Sequence, residues 1–319
     1  MPTLIDYIFY FIILFSELII NPVRHFFKIG YCKASQRLDG QIAVISDANS
    51  SIGKAVAIRL AQSGRFSNSL IKHLKRFFLK IGAKVVLACS DMAQGERTYY
   101  EIKWRVANAT LALMYLDLSS FKSVRNFSNK MKNQFEKIDI LVNCSQVSSS
   151  AYIKTEDDFE IHFANNYLSH FLLTMLLLDS LKRSECAKVI NITSIHHLLG
   201  KMHFDDISLK TNYGSSKAFN QSQLAQVLFT KELAKRCSSV SVFAVDPGFV
   251  ASYESVSLYK LVANFRLCAA LKHCTKTILL RTPFQGAQTI FHCIFDQNTD
   301  KHSGKYFRYV IKVIFIYND

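Results

Sequence analysis

From Gln41 onward, apolar and polar positions alternate between two regimes along the chain. Short β-branched runs give way to longer stretches with apolar residues three and four apart. "QIAVIS" predicts a buried strand, and "SSIGKAVAIRLAQSG" predicts a helix closed by Gly64. The pattern then repeats: strand "AKVVLACS", helix around "GERTYYEIKWRVA", strand "TLALMYLDL", helix "KSVRNFSNKMKNQF", strand "IDILVNCS", helix "SHFLLTMLLLDSLK", strand "KVINITS", helix "QSQLAQVLFTKELAKR" and strand "VSVFAVDPG". Regular β/α alternation predicts a single α/β domain, a doubly wound and mostly parallel sheet with helices on both faces. Ligands of such sheets bind at the carboxyl ends of the strands.

Three segments stand outside that rhythm. Residues 1–28 carry "LIDYIFYFIILFSELII", apolar except for Asp6, Ser16 and Glu17, and followed by Arg24, His25, Lys28, Lys33 and Arg37. An uncleaved membrane-anchor helix is expected, with the domain on the positively flanked, cytoplasmic side. Residues 65–82 interrupt the step from the first helix to the second strand. There Phe66, Leu70, Ile71, Leu74, Phe77, Phe78 and Ile81 recur at helical spacing against Lys72, Lys75, Arg76 and Lys80. That segment reads either as a basic amphipathic helix suited to a membrane surface or as sequence foreign to the fold, since joining Gly64 to Ala83 gives an ordinary turn. Residues 310–319 form an apolar tail.

Composition adds two constraints. The 319 residues are 50% hydrophobic and carry a formal net charge of +15, which favours anionic partners. Part of that charge sits in the interrupting segment and no nucleic-acid recognition motif accompanies it, so no nucleic-acid role is expected. The eight cysteines are scattered without a C-x-x-C pair or a histidine cluster at metal-ligand spacing, so no metal site is expected.

The stretches "ANSSIGKAVAIRLA", "LDLSSFKSVRNF", "LSHFLLTMLLL", "NITSIHH", "LAQVLFTKELAKR", "PGFV" and "SGKYF" resemble, in order, the short-chain dehydrogenase/reductase family, most closely its membrane-anchored retinol dehydrogenase-like branch. The resemblance implies a Rossmann-type domain over residues 38–309, NADP or NAD as cofactor, and an apolar retinoid- or lipid-like substrate. It also implies an endoplasmic-reticulum membrane location and a homodimer. By resemblance, the cofactor residues are Ser46, Asn49, Ile52, Gly53, Ser90, Asp117, Leu118, Asn143, Pro247 and Gly248.

Several positions depart from the family pattern. Where it has T-G-x-x-x-G-I-G, this chain has Ser46 to Gly53 with Asp47 and Ser51 in place of glycines. The change sets a negative charge and an extra side chain where phosphates lie, and predicts weakened dinucleotide binding. Ser90 stands where the branch has the arginine that pairs with a 2′-phosphate. The family's N-N-A-G becomes Asn143, Cys144, Ser145 and Gln146, and Asp246 replaces a histidine.

The family transfers hydride between nicotinamide and a carbonyl or alcohol. A tyrosine moves the proton, a lysine one turn on lowers its pKa, and a serine and an asparagine assist. Ser194 and Asn166 match the last two. "FNQSQLAQVLFTKELA" overlays the tyrosine segment without a gap and puts Phe219 at the tyrosine and Gln223 at the lysine. The other frame, Tyr213 with Lys217, needs six extra residues, which turn a helix by about 600°. Three readings therefore compete: a family member with impaired or lost catalysis, an active reductase using Tyr213 and Lys217, and a membrane-surface binding module.

Overall fold

The computed structural model describes residues 30–34, 36–62, 82–251 and 280–313. Eight strands form one sheet in the order β3-β2-β1-β4-β5-β6-β7-β8. They are β1 (Ile42–Ser46), β2 (Lys84–Cys89), β3 (Thr110–Tyr115), β4 (Ile140–Asn143), β5 (Lys188–Ile192), β6 (Ser241–Asp246), β7 (Tyr306–Arg308) and β8 (Ile311–Val313). Strands β1 to β7 pair in parallel, and β8 folds back antiparallel on β7. The chain order reverses between β1 and β4, which sets the crevice for ligands outside the strand ends there.

Seven helices connect the strands among the described residues: α1 (Ser51–Ala61), α2 (Met92–Arg105), α3 (Phe121–Gln134), α4 (Ser169–Lys182), α5 (Ser215–Arg236), α6 (Pro283–Gly286) and α7 (Gln288–Phe295). Alternation along the strands sends side chains to opposite faces. Ala43 and Ile45 of β1 pack with Val56 and Leu60 of α1, Ile102 of α2 and Ile290 of α7. Val44 packs the other way, in the layer that holds Val124 and Phe127 of α3, Leu173 and Leu177 of α4 and Phe229 of α5. Two helix layers thus sandwich one sheet, as the alternation predicts.

Local chemistry sets the helix starts. Ser50, Asp91 and Ser120 accept hydrogen bonds from the backbone N–H groups of Gly53, Gln94 and Ser123 and cap α1, α2 and α3. The chain enters α4 through a π-helical stretch, Phe163–Leu168, that carries Asn166; such local widening is frequent at functional sites. Helix α5 starts at Ser215, six residues ahead of the apolar run that reveals it in the sequence. Within the tail expected at 310–319, Ile311–Val313 are the edge strand β8, a correction to a structureless tail there. The expected anchor in residues 1–28 and nearly all of the basic segment at 65–82 lie outside the described residues. No helix among the described residues is long and apolar enough to cross a membrane.

Candidate active site

The carboxyl ends of β1, β4, β5 and β6 bring together most of the side chains expected at the site. Ser46 ends β1 fully buried. Its Oγ accepts from Cys144 N–H (2.8 Å) and donates to His170 Nε2 (3.0 Å), while His170 Nδ1–H donates to the carbonyl of Asn166 (3.1 Å). Burial pushes the His170 pKa down to about 4, so the ring is neutral and serves as a strut between α4 and the sheet. The Cys144 thiol is pushed up to about 12, first by burial and then by the nearby Asp47 carboxylate. It is an inert core group rather than a nucleophile.

Asn143 is equally buried. Its Nδ2 donates to Asn191 Oδ1 (2.7 Å) and Thr174 Oγ1 (3.0 Å), and Asn191 Nδ2 donates on to Thr230 Oγ1 (2.9 Å). These bonds tie β4, β5, α4 and α5 together beneath the site. Ser46 and Asn143 thus lie buried as supports beneath the strand ends.

The turn from β1 into α1 carries the chemistry that departs most from a phosphate cradle. Asp47 adopts φ 51, the left-handed region that glycine occupies at little cost. Its charge reaches the thiols of both Cys89 and Cys144 and helps raise their pKa values. Ser50 Oγ already takes the N–H of Gly53 (3.1 Å). Gly53 itself is required, because a Cβ there would lie 2.5 Å from the carbonyl oxygen of Asp47. The turn keeps its close packing, yet an acid stands among the donors that a pyrophosphate needs. Against the glycine-rich turn that the family places there, Asp47 and Ser51 add a carboxylate and a side chain.

On the adenosine side, Ser90 is exposed and offers no cation, and Asp117 Oδ1 is engaged by the N–H (2.8 Å) and hydroxyl (2.7 Å) of Ser119. Leu118 is buried, with its carbonyl accepting from Ser169 Oγ (2.5 Å). Ile52 is half-buried beside Gly53, and Asn49 Nδ2 points to Gln94 Oε1 (3.5 Å). At the end of β6, Pro247 and Gly248 form a turn in which Gly248 has φ 75 and Arg281 donates to the carbonyl of Pro247 (2.8 Å). Asp246 accepts from Gly248 N–H (2.7 Å) and from the Tyr306 hydroxyl (2.8 Å), and Arg308 lies 3.4 Å from its carboxylate.

Phe219 and Gln223 lie one turn apart on α5, which packs against the π-helical stretch and the turn after β5. Phe219 stands edge-on to His196 and His162, with ring centroids 5.4 Å and 6.1 Å away. Gln223 is almost wholly buried. Its side-chain oxygen accepts from Gln146 Nε2 (2.9 Å) and its carbonyl accepts from Thr193 Oγ1 (3.2 Å). Ser194 caps the turn after β5, and its Oγ lies 2.8 Å from His196 Nδ1. Burial lowers the His196 pKa. Asn166 spends its side chain on the N–H (2.7 Å) and carbonyl (3.1 Å) of Val147 and on Ser222 Oγ (3.1 Å).

The rival pair is placed differently. Tyr213 precedes Gly214, the N-cap of α5. Its hydroxyl donates to the carbonyl of Ala151 (3.0 Å), and Lys217 Nζ donates to the carbonyl of Asn212 (3.3 Å). Burial and then the Glu160 charge raise the Tyr213 pKa, opposite to what a proton donor paired with a lysine needs.

Sequence reasoning overlooked His196, His162 and Glu160, and named Gln146 only as a departure from the family motif, not as the partner of Gln223. His162 accepts from Ser149 N–H (2.9 Å) through Nε2 and faces buried Glu160 through Nδ1 (2.5 Å), which fixes the ring against Phe219. The "HH" after Ser194 was the available signal, since a histidine two residues past a strand-end serine can reach back to it. Among the described residues no three His, Cys, Asp or Glu side chains gather as a metal site.

Comparison with known proteins accords with this architecture. The family model for short chain dehydrogenase matches residues 70–259. Retinol dehydrogenase 12 of Mus musculus is 38% identical over 287 residues, which cover 89% of this chain and 83% of that protein. Retinol dehydrogenase 11 of Mus musculus is 33% identical over 296 residues, covering 91% and 84%. Among solved structures, levodione reductase superposes with a TM-score of 0.62 at 14% identity, covering 84% of this chain and 95% of that one, a likeness of fold alone. Matched by that family model and by these relatives over most of its length, the chain belongs to the short chain dehydrogenase family, in its retinol dehydrogenase-like branch.

Proposed function

We propose that this protein is a membrane-anchored, retinol dehydrogenase-like member of the family in which hydride transfer is impaired or lost, leaving a crevice that binds an apolar carbonyl or alcohol of retinoid or lipid type. One observation carries the reading. At the proton-donor position Phe219 presents a ring without a proton, flanked by His162 and His196. One turn on, Gln223 is neutral and bonded to Gln146. Loss of a general acid costs about 10²- to 10⁴-fold in rate.

Asp47 in the phosphate turn lowers affinity for NADP and NAD alike, and Ser90 gives no reason to prefer the 2′-phosphate form. The substrate class rests on the retinol dehydrogenase relatives. The apolar, positively flanked N-terminus supports an anchor with the domain facing the cytoplasm, and the likeness to retinol dehydrogenases supports an endoplasmic-reticulum location. Exposed Phe171 and Met175 on α4 and Leu228 on α5 suit a homodimer through those helices.

The test is retinaldehyde binding and reduction by the full-length protein in detergent. Tight retinoid binding with no turnover above background supports the reading, whereas NADPH-dependent turnover at the rate of an ordinary dehydrogenase rejects it.

A further inference from the structure

The crevice lies at the carboxyl ends of the strands, and a second opening lies at their amino ends. It is a cleft of about 300 Å³ between the lead-in to β1, the first residues of β4 and β5, and the 3₁₀ turn Gln297–His302 that follows α7. Ile140 and Lys188 start β4 and β5 as partners in register, and both line the cleft. A volume at the lower end of the usual range for ligand pockets suits a molecule of one or two rings.

The wall holds an ion pair that is incompletely satisfied. Lys188 is only 5% exposed. Its Nζ donates to the carbonyl of Cys293 (3.0 Å) and stands 2.9 Å from Asp300 Oδ1. An ammonium carries three N–H groups, so among the described residues one is left over. Asp300 Oδ1 is buried without a well-aligned hydrogen bond, and the side chain as a whole is 38% exposed. Buried polar groups in this state call for a further partner.

Around the pair the cleft is lined by the amides of Gln36, Gln41 and Gln297, each with donors and an acceptor. Leu38 and Ile294, both buried in the core, supply apolar contact.

These groups select against an ion. A charged ligand competes with one member of the pair and strands the other in a buried wall, which is a costly exchange. A neutral ligand with an acceptor beside a donor meets both. Its acceptor takes the spare N–H of Lys188, and its donor faces Asp300. The edge of a flat lactam has that pattern, and its faces are apolar enough for Leu38 and Ile294.

We propose that this cleft is a second ligand site, for a small neutral ring bearing a lactam, the chemical class of a nucleobase. The site is separate from the crevice and does not depend on whether hydride transfer survives there.

Cys186 supplies the readout. It lines the cleft, with Gln41 Nε2 3.7 Å from its thiol, and is the one exposed cysteine among the described residues. Full-length protein in detergent is alkylated with iodoacetamide, and the rate at Cys186 is followed by peptide mass spectrometry. Cys32, half-buried outside the cleft, is the reference. Uracil and hypoxanthine are the probes, and N,N′-dimethylated uracil, which keeps the ring and carbonyls but has no N–H, is the control.

The proposal expects uracil or hypoxanthine to slow alkylation of Cys186 severalfold with Cys32 unchanged, and the dimethylated ring to slow neither. Lys188→Met and Asp300→Asn are expected to lose the protection, with their thermal unfolding recorded to show that they are folded. The dimethylated control keeps the test decisive if they are not. Equal protection by uracil and its dimethylated form overturns recognition through the ion pair. Protection by acetate or glycine, but by neither probe, overturns it in favour of a charged ligand. No protection by either probe at its solubility limit means that the cleft holds water only, and overturns the site itself.

Discussion

Phe219 and His196 meet edge to face, ring centroids 5.4 Å apart, and His196 in turn holds the Ser194 hydroxyl at 2.8 Å. The serine expected to steady a substrate oxygen is thus tied to a histidine that burial keeps neutral, beside a ring that has no proton to give. His196→Ala releases that hydroxyl. It is expected to change retinoid affinity severalfold while leaving turnover at background, read by retinoid fluorescence titration alongside product formation. Unchanged retinoid affinity would mean that the Ser194 hydroxyl does not meet the ligand.

Asp47 gives a second expectation. At φ 51 the aspartate tolerates a conformation that glycine adopts freely, so Asp47→Gly changes unfolding stability by no more than about 1 kcal/mol. Removal of the acid from the phosphate turn strengthens NADPH binding by about tenfold or more, equivalent to about 1.4 kcal/mol. Calorimetric titration of both proteins checks it.

Gly53 is the opposite case. A Cβ there meets the Asp47 carbonyl at 2.5 Å and Ala48 Cα at 2.9 Å, both backbone, so nothing flexible gives way. Gly53→Ala is expected to destabilise by about 1–3 kcal/mol, read as a lower urea midpoint with an unchanged slope.

Two buried histidines make stability pH-dependent. Burial lowers both His170 and His197 to about 4 from an ordinary 6.5. The unfolded chain therefore binds protons that the fold refuses, and stability rises with pH across that interval. Their contribution is complete above about pH 6.5 and is lost as pH falls towards 4, on the order of 3 kcal/mol for each ring. Denaturant midpoints measured across this window should fall steadily towards acid, and His170→Asn should flatten the slope.

Much of the architecture was legible because a buried parallel sheet leaves a strong trace. "SHFLLTMLLLDSLK" is helix α4 from end to end, and "QIAVIS" contains β1. Strand β8 was not legible, since three residues of a two-sided edge strand show no period. The start of helix α5 lies ahead of its apolar run, but Gly214, Ser215 and Ser216 read as a helix entry, and Gly214 is the N-cap with Tyr213 before it. At the site, chain order indicated which residues sit at strand ends, but not which of them face the crevice. Ser46 and Asn143 carry motif positions and are buried supports, because their hydrogen bonds run to His170, Thr174 and Asn191, far away in sequence. The contact of His196 with Phe219 and the bond of Gln146 to Gln223 were not legible, because they form only when α5 packs across the strand ends.

The central claim is that the proton-transfer pair is missing at Phe219 and Gln223 and that Asp47 and Ser51 weaken the phosphate turn. The most direct measurement is retinaldehyde reduction with NADPH, comparing the native protein with the combined variant Asp47→Gly, Ser51→Gly, Phe219→Tyr, Gln223→Lys. The native protein is expected at background, and the combined variant is expected to gain about 10²-fold or more. Native turnover that is already substantial, and that Tyr213→Phe abolishes, would contradict the account and place the proton donor at Tyr213.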